Sequence, residues 1–165
     1  MSPDALKEYL VHGPFSVSRD EDGKFSAGRA DDYTEVANKY GCYVYATRFG
    51  GSFRPWYAGR TKRSFNQEIF TPHKQQKLEN IWDRFERGEL VVFLVAPQAG
   101  PGRPNLKFVR EMEKYLISAC FEMNPLIENI QGLPRAAWQI AGVTSRRVGR
   151  PSDDAAAKMR TMLGF

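Results

Sequence analysis

Between Cys42 and Ala46 the tyrosines Tyr43 and Tyr45 alternate with Cys42, Val44 and Ala46. This two-residue period predicts a strand with two distinct faces. Gly50-Gly51-Ser52 supplies a turn, so the following run around Trp56 and Tyr57 is expected to fold back as the second strand of a hairpin. Ser64 with Gln67 and Glu68 then reads as a capped helix start, ending near Thr71 because Pro72 follows. A second helix is expected from about His73. Its Leu78, Ile81, Trp82 and Phe85 recur at helical spacing, and Gly88 closes it. Leu90 to Ala96 is a short apolar run rich in β-branched residues, expected to be a strand buried on both faces. The prolines and glycines of Pro97 to Pro104 make a loop, and a longer helix runs from about Asn105 to Met123 before Asn124-Pro125 stops it. The order is strand, strand, helix, helix, strand, helix.

Both ends add to this series. Pro3 to Leu10 has a short helical pattern, and Phe15-Ser16-Val17 and Lys24-Phe25-Ser26 flank an Asp22-Gly23 turn. Asp31-Asp32 favours a helix start continuing through Asn38. These residues carry no evident chemistry, and His12 is expected to be a surface or packing histidine. Near the other end, Trp138 to Val143 is a candidate edge strand. Ser152 caps a final amphipathic helix with Asp153 and Asp154 at its start, Lys158 and Arg160 near its end, and Ala156, Met159, Met162 and Leu163 on its docking face.

A length of 165 residues fits one domain with a real core. No apolar run is long enough to cross a bilayer, and Met1-Ser2-Pro3-Asp4 lacks a secretion-signal layout, so a cytoplasmic protein without a membrane partner is expected. Cys42 and Cys120 are read as reduced, buried small hydrophobes. The formal net charge of +5, from 24 basic and 19 acidic residues, is compatible with a polyanionic partner. From Gly132 to Pro151 the chain holds Arg135, Arg146, Arg147 and Arg150 and no acid, as a solvated loop or a nucleic-acid contact would.

The long helix carries an anomaly. Leu106, Val109, Leu116, Ile117 and Cys120 project as one apolar stripe, and Glu113 lies in the middle of it. A core-facing carboxylate needs a cation, a metal or a hydrogen-bond donor. Two partners are open: an arginine from the hairpin, or a divalent ion in a cleft.

Gly41-Cys42-Tyr43, Tyr57-Ala58-Gly59, His73, Glu113-Lys114-Tyr115-Leu116-Ile117 and Asn124-Pro125-Leu126-Ile127-Glu128-Asn129 together resemble the GIY-YIG nuclease superfamily. The resemblance implies an α+β fold, a small central, mostly antiparallel β-sheet flanked by helices. Its catalytic core would span residues 41–130, with an N-terminal extension over 1–40 packed on it and a basic segment plus C-terminal helix over 131–165. It further implies metal-dependent hydrolysis of phosphodiesters in DNA, with double-stranded DNA as the expected partner. Glu113 would bind Mg²⁺ or Mn²⁺, Tyr43 would take the proton of water, Tyr57 would orient it, and His73 and Asn129 would support the phosphate or the tyrosines. Members usually carry a helix arginine roughly ten residues past the second tyrosine, where this chain has Asn66-Gln67-Glu68. Arg60, Arg63 or Lys74 could supply that charge, and Arg60 is the expected one because it leaves the strand nearest Tyr57. Arg63, Lys74, Arg146, Arg147 and Arg150 are the expected nucleic-acid contacts. The alternative is a noncatalytic nucleic-acid-binding module on the same scaffold, and a third reading is a protein-binding factor whose tyrosines only pack.

Overall fold

A computed structural model describes residues 7–28, 31–98 and 104–129, together with the helical Ala155, Lys158, Met159 and Met162. The elements are β1 (Tyr9–Arg19), β2 (Phe25–Ala27), α1 (Asp31–Ala37), β3 (Cys42–Phe49), β4 (Ser52–Arg60), α2 (Phe65–Glu68), α3 (Pro72–Trp82), β5 (Glu89–Pro97) and α4 (Leu106–Met123). The fold is α+β. Its strands form one sheet in the order β2-β1-β5-β3-β4, and every neighbouring pair is antiparallel.

The tyrosine hairpin forms as its alternation requires. Tyr45 faces Tyr57 and Tyr43 faces Gly59 across β3 and β4, with a bulge between Tyr45 and Ala46 that absorbs Trp56. Residues two apart share a face, so Tyr43, Tyr45 and Tyr57 point to one side with Val92 and Leu94 of β5. There they pack with Tyr33 and Val36 of α1, Phe65 of α2, and Leu78 and Ile81 of α3. The opposite face presents Val44 and Ala58 to Leu116, Ile117, Cys120 and Phe121 of α4. β5 is buried on both faces over most of its length, as its continuous apolar run demands.

The structure corrects several boundaries. Tyr9 and Leu10, expected at the end of a helix, begin β1 because their backbone pairs with Pro97 and Ala96 of β5. Residues 1–6 lie outside the described set. Although the first 40 residues read as an extension packed on the domain, β1 and β2 are hydrogen-bonded members of the same sheet. α2 is a single turn held by a reciprocal capping box between Ser64 and Gln67. α3 starts at Pro72, where the missing N–H costs nothing, and ends at Trp82 before reaching Phe85.

The chain divides into two compact units, Met1–Leu133 and Pro134–Phe165. In the second, Met159 and Met162, expected on a docking face, are 41% and 73% exposed. Trp138 to Val143, Arg135, Arg146, Arg147, Arg150, Ser152, Asp153, Asp154, Ala156, Arg160 and Leu163 lie outside the described residues. Among the described residues no helix is long and apolar enough to cross a membrane.

Candidate functional site

The site is built where β3 begins and β4 ends, since Cys42 pairs with Arg60. Thr61 closes this end: its N–H donates to Gly41 O at 2.8 Å, and its hydroxyl accepts from Gly41 N at 3.0 Å. The backbone of Arg60 is thereby fixed. Its side chain leaves on the α4 side, where Arg60 Nε meets Glu113 Oε2 at 2.7 Å, the two side chains being 30% and 23% exposed. Of the two partners open to Glu113, the hairpin arginine is the one in contact. Burial raises the Glu113 carboxyl above its ordinary range, while Arg60, Lys74 and Lys114 oppose that rise.

On the other face the expected cation at the tyrosines changes identity. Arg60 is committed to Glu113, and Lys74 instead donates from Nζ to Tyr57 Oη at 2.6 Å. The same ammonium lies 4.7 Å from the centroid of the Tyr57 ring and 5.9 Å from that of Tyr43. Lys77 is 6.0 Å from the Tyr57 centroid and donates to Glu128 O. His73, one residue before Lys74, is exposed and makes no hydrogen bond or ion pair among the described residues. The helical phase carried this signal: Lys74 lies on the i, i+4, i+7 stripe with the buried Leu78 and Ile81, and His73 does not.

Tyr43 is fully buried and its hydroxyl has no hydrogen-bond partner among the described residues. Burial first, then Tyr45, Tyr57 and Glu113, hold its phenol well above the ordinary value. The role expected of Tyr43, accepting a proton from water, needs a phenolate that this environment opposes. Tyr57, 8% exposed and touched by an ammonium, is the better-placed phenol. Tyr45, adjacent on the same face, donates to Ile69 O and is structural. Cys42 and Cys120 are free and buried, as expected, and burial pushes the Cys42 thiol to about 12.

Asn129 meets backbone next to Tyr57. Its Nδ2 donates to Ala58 O at 2.7 Å and its Oδ1 accepts from Ala58 N at 2.9 Å, so it pairs like a strand residue with the outer edge of β4. It supports the strand that carries Tyr57. Glu68 and Gln67, standing where the resemblance leads one to expect an arginine, are likewise structural. Glu68 accepts from the backbone N–H groups of Lys62 and Arg63, and Gln67 closes the capping box. Arg63 itself is exposed.

Among the described residues no group of three or more His, Cys, Asp or Glu is placed to hold a metal ion. A single carboxylate suits one kind of site only, that of Mg²⁺ bound by one or two carboxylates together with substrate phosphates and water. Glu113, partly exposed and flanked by cations that a phosphate would neutralise, fits that kind. A separate cavity of about 540 Å³ lies between β1 and α1, lined in part by Phe15, Asp32, Glu35 and Lys39. His12 also lines it, partly buried as a packing histidine is, and none of the expected site residues does.

No family model, curated protein or solved structure matches the chain.

Proposed function

We propose that the chain is a metal-dependent endonuclease that hydrolyses phosphodiester bonds in DNA, built on a GIY-YIG-like domain. The observation that carries this reading is a pair of contacts near the open end of the tyrosine hairpin, Lys74 with Tyr57 and Arg60 with Glu113, with the Lys74 charge acting on the Glu113 carboxyl. Further support is that the tyrosine strands, the lysine-bearing helix, the glutamate-bearing helix and the Asn129 turn follow in the order the resemblance implies. Two basic side chains on a developing pentacovalent phosphate supply the charge that phosphoryl transfer demands. Lys74 takes the part of the missing helix arginine. As a point charge with three donors it binds Tyr57 Oη and a phosphate oxygen together.

Tyr57 orients the attacking water through a hydrogen bond. Tyr43 packs behind it and sets the ring's position. Glu113 would hold Mg²⁺ or Mn²⁺, which when bound supplies positive charge to the leaving oxygen. Supercoiled plasmid incubated with Mg²⁺ tests the assignment of Lys74. Lys74→Ala should slow cleavage about 10²–10³-fold, as loss of one transition-state donor does. Cleavage at the wild-type rate would remove Lys74 from the mechanism.

The second reading, a noncatalytic nucleic-acid-binding module, is favoured by the Arg60–Glu113 contact, which occupies the one carboxylate of the site. It predicts DNA binding that weakens steeply with salt and no strand scission under any metal.

A further inference from the structure

We propose that Arg60 is a displaceable counter-ion: it occupies Glu113 in the free protein, and a phosphate of the bound strand takes it over, so that a divalent cation enters only with nucleic acid in place. This rests on reading Glu113 as the carboxylate that holds the ion. A cation approaching the free protein meets Arg60 in direct contact with Glu113 at 2.7 Å. Lys74 adds a second positive charge close enough to act on the same carboxylate. One neutralised carboxylate between two cations is a poor metal site, and no other cluster of ligands among the described residues compensates.

A phosphodiester reverses each of these conditions. It brings negative charge and oxygen ligands of its own, and a guanidinium binds phosphate in the same forked geometry as carboxylate. Both side chains of the pair are partly exposed, so the exchange needs no unfolding. The hydrogen bonds of Thr61 to Gly41 hold the backbone, and only the Arg60 side chain has to swing. The observed ion pair is then the resting state of a site that avoids holding metal without substrate.

The test is Mn²⁺ binding to the full chain, read from the loss of the free-ion signal in electron paramagnetic resonance. A short duplex with phosphorothioate linkages serves as the nucleic-acid probe, and Glu113→Gln with the same duplex gives the background of ions held by DNA alone. The free wild type should bind weakly, and the duplex should tighten binding above background by at least about tenfold. Arg60→Gln should bind Mn²⁺ without duplex more tightly than wild type by a similar factor of about ten. Equal affinity with and without duplex, or in wild type and Arg60→Gln, overturns the exchange. Should Arg60→Gln fail to fold, the wild-type comparison decides alone. If affinities are equal while the wild type cuts DNA, the hydrolytic reading stands and only the exchange falls. No Mn²⁺ binding above background in any form, together with no cleavage, removes both.

Discussion

Gly59 is glycine for want of space. A Cβ built there would lie 2.5 Å from Cζ and Oη of Tyr43 and 2.9 Å from Cε1 of Tyr57. Both rings are buried and locked against Tyr45, with centroids 5.3 to 6.0 Å apart, so neither can step aside freely. Gly59→Ala should lower stability by about 1–3 kcal/mol, the usual cost of overpacking, read from the midpoint of denaturant unfolding. An unchanged midpoint would show that the tyrosine stack yields. Glu113 carries a prediction of pH dependence. Burial raises its carboxyl above the ordinary 4.5, so the folded chain holds that proton more tightly than the unfolded chain. Its contribution to stability is complete below 4.5 and is lost as pH rises through the raised folded value. Glu113→Gln is permanently neutral and escapes that loss. Relative to wild type it should therefore gain stability between acid and neutral pH. A stability difference that stays flat, or grows as pH falls, would contradict this.

Among the elements, β4 is the edge strand nearest the site, and the segment after α4 seals it. Asn124 Nδ2 donates to Pro55 O at 2.7 Å, Glu128 N to Trp56 O at 2.7 Å, and Asn129 exchanges two hydrogen bonds with Ala58. Asn129→Ala leaves both backbone groups of Ala58 without these partners. At about 1–3 kcal/mol for each buried unpaired group, it should cost roughly 2–6 kcal/mol and speed hydrogen exchange at Ala58. Unchanged exchange there would mean that the Ala58 N–H does not depend on Asn129 for its protection. This use of Asn129 was not legible in the sequence, because an Asn after a Pro turn has the same composition whether it meets backbone or phosphate. The pairing of β1 with β5 was hidden for a related reason: it is non-local, and only tertiary contact overrides the helical pattern at Tyr9 and Leu10. The hairpin, the Ser64 cap and the Val109, Ile117 and Cys120 part of the α4 stripe were legible because alternation, capping chemistry and helical period are all local, while Leu106, at the helix start, is exposed. The partner of Glu113 stayed open in the sequence. A glutamate in an apolar stripe announces that it needs a positive charge, but not which one.

For the whole molecule, the sheet places α1, α2 and α3 on one face and α4 on the other. The site spans both faces near the end of the hairpin, and the Lys74 charge on one acts on the Glu113 carboxyl of the other. Lys74 reaches it from α3, Glu113 from α4, and Arg60 from the strand between them. Such an arrangement couples fold to chemistry, because each charge is delivered by a different element and none is complete alone. A comparison of wild type and Glu113→Gln on one fluorescent DNA duplex, with binding and strand scission followed in the same samples with Mg²⁺ or Mn²⁺, tests this most directly. The wild type should bind and cut, and Glu113→Gln should bind with a Kd within about threefold of wild type while cutting at least about a hundredfold more slowly. Equal cutting by both proteins, or binding without cutting by the wild type under either metal, would contradict a hydrolytic site centred on Glu113.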